Sequence, residues 1–360
     1  MTEAFNTRTD GCANRAEFEE SPMQTTAPHL MRAYARQPVS FVRGNGARLW
    51  DDQGVEYLDA IAGVAVTSLG HAHPEIAAVI AEQAGALLHT SNVFRIDWQE
   101  QLGERLCALT GMESAFFCNS GAEANETALK LARLHAHRRQ VARPQILVMG
   151  NAFHGRTLAT LAATDNAANQ QGFGPLLPGF LRAPYGDISA VRQAAEQSPD
   201  IVAVLIESVQ GEGGIRVASA EYLRELRALC DQRDWLLMLD EIQAGMGRTG
   251  AWFGYAHAGI SPDVVTLAKA LGNGFPIGAC LARGIAADLF SPGQHGSTFG
   301  GNPLAMAVGG AAFAEISKPE TLAHVNEIAG YLKQQLHGLK ERFPDVIVDV
   351  RGKGLLLGVK

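Results

Sequence analysis

Three short apolar runs each lead to a polar or charged residue that a buried strand cannot hide. Ile201–Ile206 ends at Glu207, Leu236–Leu239 ends at Asp240, and Val264–Leu267 stops just before Lys269. Uninterrupted apolar runs of this length mark strands covered on both faces. Gly-rich turns and helical patterns alternate with them, which predicts an α/β fold on a mostly parallel central sheet. In open sheets of that kind, ligands bind in the crevice beyond the carboxyl ends of the strands. Glu207, Asp240 and Lys269 are therefore expected to share one crevice. Any one of them alone would read as a strand cap or half of an ion pair, because a buried charge without a partner is costly. The joint pattern is what points to chemistry.

Other elements follow from periodicity. Pro74 opens a helix with Ile76, Val79, Ile80, Ala84 and Leu87 on one face. Ala115–Cys118 is an apolar run that breaks at Asn119-Ser120-Gly121, and a helix follows with Ala124, Ala128 and Leu131 in register. Ile146–Met149 reads as a buried strand. After about residue 305, a helix carrying Leu322, Val325, Ile328, Leu332, Leu336 and Leu339 precedes two strand-like runs, Val346–Val350 and Leu355–Val359. At ~150 residues per domain the length supports about two domains. The expected division is a mobile N-terminal tail (1–24), a segment joining the small domain (25–75), a large ligand-binding domain (76–305) and a smaller α+β domain (306–360). Lys360 directly follows an apolar run, so the chain reads as truncated.

Composition excludes several classes. The net charge is -7 with 19% charged residues, so there is no basic excess for nucleic acid. An anionic substrate must be caught by individual Arg or Lys side chains. The five cysteines are scattered without a C-x-x-C pair, which fits a reducing cytoplasm better than a disulfide framework or a zinc site. No apolar run approaches the ~20 residues a bilayer requires, and the N-terminus is polar, without a signal-peptide core. His71 and His73 form H-x-H without a third ligand, so they read as structural and no metal site is expected.

Lys269 lies in VVTLAKALGNGFPIGA. An amine in such apolar surroundings is desolvated, its pKa falls, and it becomes a nucleophile toward a carbonyl. A lysine snorkelling from a core helix is the alternative, and the Gly-Asn-Gly continuation disfavours it. Ser120, Gly121 and Ala122 occupy a strand-to-helix turn, where backbone N–H groups and the helix N-terminus favour an anion. A plain N-cap by Ser120 is equally open on that segment alone. The segment lacks the Gly-Lys-Ser/Thr ending of a Walker loop, and Gly211–Gly214 lacks dinucleotide spacing. An anion cradle, a buried Asp and a desolvated Lys are together what pyridoxal 5'-phosphate (PLP) requires: an anchor for its phosphate, a partner for its ring nitrogen and an amine for its aldehyde.

With those residues in place, the sequence resembles the class III (subgroup II) aminotransferases of PLP fold type I, and within them the bacterial acetylornithine aminotransferases. The resemblance runs from about Met31 to the last residue. It rests on GVAVTSLGHAHPE, NSGAEANE, AFHGRT, ESVQGEGG, LDEIQAGMGRTG, LAKALGNGFPIGA and HGSTFGGNP. It implies that Lys269 holds the cofactor as a Schiff base and that Asp240 partners its ring nitrogen. By the same resemblance Gln243 contacts its phenolic oxygen, Ile242 and Phe153 cover its two faces, and Ser120, Gly121 and Ala122 hold its phosphate. Glu241, in the same motif as Asp240, is expected beside it. Thr298 resembles a phosphate ligand lent by the other subunit, which implies a homodimer with shared active sites. Arg156 resembles the residue that grips the substrate carboxylate, with Ser297 and Tyr34 assisting. Glu207 resembles a glutamate that pairs with an arginine near the C-terminus; no match for that arginine precedes Lys360. Val64 stands where ornithine δ-aminotransferases carry an aromatic residue, and Asn125 belongs to a form of its motif typical of the acetylornithine enzymes. The implied reaction passes the terminal amine of N2-acetyl-L-ornithine to 2-oxoglutarate in the cytoplasm. Succinyldiaminopimelate or another omega-amino acid as donor, and a decarboxylase or aminomutase on the same fold, stay open as alternatives.

Overall fold

The computed structural model describes residues 29–360; the tail expected at 1–24 lies outside them. Seven strands form the central sheet, in the order Ser114–Cys118, Gly278–Ala282, Val264–Leu267, Leu236–Asp240, Ile201–Glu207, Gln145–Met149, Phe180–Ala183. Gly278–Ala282 runs antiparallel to both of its neighbours, and the remaining pairs are parallel. The expected mostly parallel α/β sheet is thus present with one reversed strand.

The inner strands Ile201–Glu207, Leu236–Asp240 and Val264–Leu267 are buried along their whole length because both faces are covered. Leu237 and Leu239 belong to one apolar layer, while Leu236 and Met238 belong to the other, as a period of two demands. Asp240 follows Met238 on the side of helix Gly121–Arg138, whose Ala128, Leu129 and Ala132 pack in the same layer. Register then assembles the crevice. Asp240 pairs with Glu207 on one side and Thr266 on the other, so three strands end together. The reversed strand starts at the same end, with Gly278 opposite Cys118. A Cβ at Gly278 would collide with the carbonyl oxygen of Ser120, so only glycine lets that strand lie so close to the Ser120 turn.

Two expectations shift. The helix Pro303–Ile316 crosses the division placed between 305 and 306, and its Met306, Val308 and Ala312 belong to the large core. The first C-terminal strand is Val350–Lys353, not Val346–Val350; it pairs with Leu356–Val359. Val346 and Val348 are exposed, so they gain nothing from sheet formation. Gly354, at φ +57°, makes the tight turn that sets the register. The helix Pro319–Arg342 and the helix Pro74–Ala86 form where periodicity puts them. A three-stranded antiparallel sheet of Phe41–Asn45, Arg48–Asp51 and Glu56–Leu58 was not legible from periodicity.

No helix among the described residues is long and apolar enough to cross a membrane. Leu237 is fully buried in the central strand. Leu237→Ala leaves a cavity there and should lower unfolding free energy by ~2–5 kcal/mol, measured by denaturant titration.

Candidate active site

At the carboxyl ends of the strands lies a cavity of about 400 Å³. Ser120, Gly121, Ala122, Phe153, Arg156, Glu207, Asp240, Ile242, Gln243 and Lys269 all line it. Residues drawn from five separate stretches of sequence therefore meet in one place. Val66 and the turn Gly274–Ile277 complete the wall.

Lys269 sits two residues past its strand, at φ +50°. This left-handed conformation costs a non-glycine residue roughly 1–2 kcal/mol, and it turns the chain sharply at the cavity wall. Burial holds the amine below the ordinary lysine range, against the opposing pull of Asp240, Glu212 and Glu207. No ion pair to Lys269 occurs within 4 Å among the described residues. A desolvated amine without a close anion is the chemistry of a carbonyl nucleophile.

Asp240 is 4% exposed. Its Oδ2 accepts from Asn125 Nδ2 and meets His154 Nδ1, each at 2.8 Å, and its Oδ1 accepts from the Ile242 amide at 3.1 Å. Burial works against protonation of His154, but the hydrogen bond and charge of Asp240 prevail, and its pKa rises.

The expected anion cradle falls at the start of helix Gly121–Arg138. Ser120 caps it by accepting from the Glu123 amide at 3.2 Å. The first N–H groups of a helix have no intrahelical acceptor, so those of Gly121 and Ala122 are free to hold an anion. A Cβ on Gly121 would lie 2.7 Å from Ile242 Cδ1; glycine is what lets the turn and Ile242 share the floor. The capping and anion-holding readings of Ser120 are thus compatible.

Glu207 has two backbone donors rather than an arginine: the amides of Phe153 and Gly211, each at 3.1 Å. Burial pushes its pKa up to about 7. Arg156 is exposed at the rim and lies 5.8 Å over the Phe153 ring. Gln243 Nε2 donates to Glu212 at 3.3 Å.

Four expected residues stand apart from the cavity of this chain. Glu241 turns away from it, since neighbouring residues at a strand end face opposite sides; its carboxylate accepts from the amides of Gly254 and Tyr255 instead. Tyr34 is 72% exposed. Thr298 is exposed on its loop. Ser297 reaches only the edge, where its Oγ accepts from Asn119 Nδ2 at 3.3 Å. Val64 is also exposed and off the wall. His71 is paired with Asp59 at 2.6 Å, and no cluster able to hold a metal ion occurs among the described residues.

Three residues were missed by sequence reasoning. Asn125 was read as a subfamily mark and His154 passed over between Phe153 and Arg156, yet both hold Asp240. Thr266, inside the apolar run Val264–Leu267, donates to Asn125 Oδ1 at 2.8 Å. The signal was available in Thr266: a hydroxyl within a fully buried strand requires a partner.

The family model of the class-III aminotransferases matches residues 30–360. The chain belongs to the class-III aminotransferases. The acetylornithine aminotransferase of Nitrosomonas europaea is 51% identical over 332 residues, covering 92% of this chain and 84% of the relative. Acetylornithine aminotransferase 2 of Caulobacter vibrioides is 52% identical over 338 residues, covering 93% and 83%. Among solved structures, the ornithine aminotransferase of Toxoplasma gondii superposes with a TM-score of 0.89 at 34% identity, covering 92% of this chain and 79% of that one. The N-acetylornithine aminotransferase of Stenotrophomonas maltophilia gives 0.78 at 40% identity, covering 91% and 81%. Identity and superposition rank these relatives differently. Superposition measures the shared fold, so identity is the better guide to the site.

Burial also raises the Glu241 carboxyl to about 7. A carboxyl whose folded pKa exceeds its unfolded value binds more protons when folded, so its contribution to stability falls as pH rises from about 4.5 through 7. Glu241→Gln should remove this dependence. Between pH 5 and 8 the wild type should lose stability relative to the variant, as denaturant titrations at several pH values will read.

Proposed function

We propose that this protein is a PLP-dependent aminotransferase that moves the terminal amine of N2-acetyl-L-ornithine to 2-oxoglutarate, yielding N-acetyl-L-glutamate 5-semialdehyde and L-glutamate. The observation that carries the reading is the single cavity in which a desolvated Lys269, a buried Asp240 and a helix N-terminus converge. The three match the aldehyde, the ring nitrogen and the phosphate of PLP. The choice of donor is supported by the 51% and 52% identity to acetylornithine aminotransferases.

When bound, PLP supplies an electron sink and a carrier for the amino group. Lys269 would hold its aldehyde carbon through Nζ. Asp240 would hold its ring nitrogen, the amides of Ser120, Gly121 and Ala122 its phosphate, Ile242 and Phe153 its faces, and Gln243 its phenolic oxygen. Once the incoming amine has displaced it, Lys269 Nζ, with its lowered proton affinity, would be the group able to carry a proton from the donor carbon to the cofactor's aldehyde carbon. Arg156, at the rim, can fork onto a substrate carboxylate. Glu207, near neutrality in its proton affinity, can change charge between one substrate and the next.

A homodimer with shared sites is part of the same reading. Its support is a set of exposed large apolar side chains, among them Ile61, Val93, Phe94 and Phe299, of a kind that marks a protein interface. Thr298, exposed beside Phe299, would be lent to the partner's cavity. The cytoplasmic assignment rests on the four described cysteines, all unpaired.

Ornithine is a second candidate donor, favoured by the superposition on the Toxoplasma gondii enzyme. Purified protein with PLP should use N2-acetylornithine at a kcat/KM at least tenfold above ornithine, ~1.4 kcal/mol in transition-state binding. One glutamate should form per semialdehyde, without CO2. Lys269→Ala should abolish turnover. Equal use of ornithine, or CO2 release, would overturn the assignment.

A further inference from the structure

Asp240 Oδ2 is held by two donors, and one of them is itself held in place from outside the cavity. Asn125 Nδ2 donates to Asp240 Oδ2 and to the His154 carbonyl oxygen, each at 2.8 Å. Asn125 Oδ1 accepts from Thr266 Oγ1 at 2.8 Å. All four residues are buried, and neither Asn125 nor Thr266 lines the cavity.

The chain has a direction. The two acceptors facing Asn125 Nδ2 set the amide with its nitrogen toward Asp240 and its oxygen toward Thr266, whose hydroxyl then donates to it. A flipped amide would set its oxygen against a carboxylate oxygen and a carbonyl oxygen, both at hydrogen-bond distance and both without a hydrogen to give. A carboxylate only accepts, so His154 Nδ1 carries the hydrogen on its side. Oδ2 is thereby satisfied twice, while Oδ1 has only the Ile242 amide, at the longer distance of 3.1 Å. Oδ1 is the oxygen with capacity left for a donor in the cavity. In a low-dielectric interior such a chain is worth most when every member is satisfied.

We propose that Asn125, braced by Thr266, is a positioning residue that holds the Asp240 carboxylate in place and leaves Oδ1 free for the ring nitrogen of the bound cofactor. The proposal rests on the PLP reading above. Thr266 lines no part of the cavity; its hydroxyl acts through the amide it braces.

The test uses the holoenzyme loaded with PLP carrying ¹⁵N in its ring, and reads the ring nitrogen by NMR. Wild type should show a protonated nitrogen. In Thr266→Val, which keeps the side chain's shape and loses the hydroxyl, the resonance should move toward the unprotonated position. The single-turnover rate with an amino donor should fall roughly tenfold, as for the loss of one net hydrogen bond. Thr266→Ser should restore both readouts. Asn125→Leu should act in the same direction and more strongly. Thr266→Val, being isosteric, keeps the test decisive should Asn125→Leu fail to fold. A wild-type ring-nitrogen signal in Thr266→Val, or equal shifts in the Val and Ser variants, would overturn the positioning role. A wild-type protein that binds no PLP would overturn the underlying reading instead, and the two failures are distinguishable.

Discussion

Asp240 places a carboxylate in the middle of a buried parallel sheet, and its surroundings answer the cost of putting it there. Stripped of partners, a buried charge costs several kcal/mol. Three donors offset that here: Asn125, His154 and the Ile242 amide. Hydrogen bonds to a charged group contribute roughly 1.5–3 kcal/mol each, so the set is of the right size to hold the ion. No Lys or Arg pairs with it within 4 Å among the described residues; the one ion-pair contact is His154. The carboxylate therefore faces the cavity as an acceptor whose protein partners lie behind and beside it.

The sheet supplies the rest by register. The same strand ends that bring Glu207 and Thr266 level with Asp240 bring Lys269 into the wall of the same cavity. Burial acts on two ionisable groups there in the direction physics requires: it lowers the amine and raises Glu207 to about 7. A desolvated amine, a hydrogen-bonded carboxylate and a helix N-terminus in one cavity are a small set of parts. The class-III aminotransferase family puts them to amino-group transfer.

Much of this was legible in the sequence because strand ends carry a strong signal. An apolar run that stops at Asp, Glu or Lys tells where the run ends and what waits there, and ten of the expected site residues do line the cavity. What escaped were partners rather than principals. Thr266 lies inside an apolar run, and periodicity absorbs it. Asn125 lies on a helix that was read for its apolar face. Glu241 was misplaced because adjacent residues in a motif face opposite sides of the backbone. The three-stranded sheet near the N-terminus is mostly exposed, so its alternation carries no apolar stripe. The C-terminal hairpin slipped in register because Val346 and Val348 look like strand residues and stay in solvent. Tertiary contacts decided each of these cases, and single-sequence patterns do not carry them.

The proposed chemistry requires that Lys269 hold the cofactor. Purified protein incubated with PLP, reduced with borohydride and digested can be read by mass spectrometry for the lysine that bears the phosphopyridoxyl group. Stoichiometric labelling of Lys269 alone is the expected result. Labelling of another lysine, or none, would contradict it.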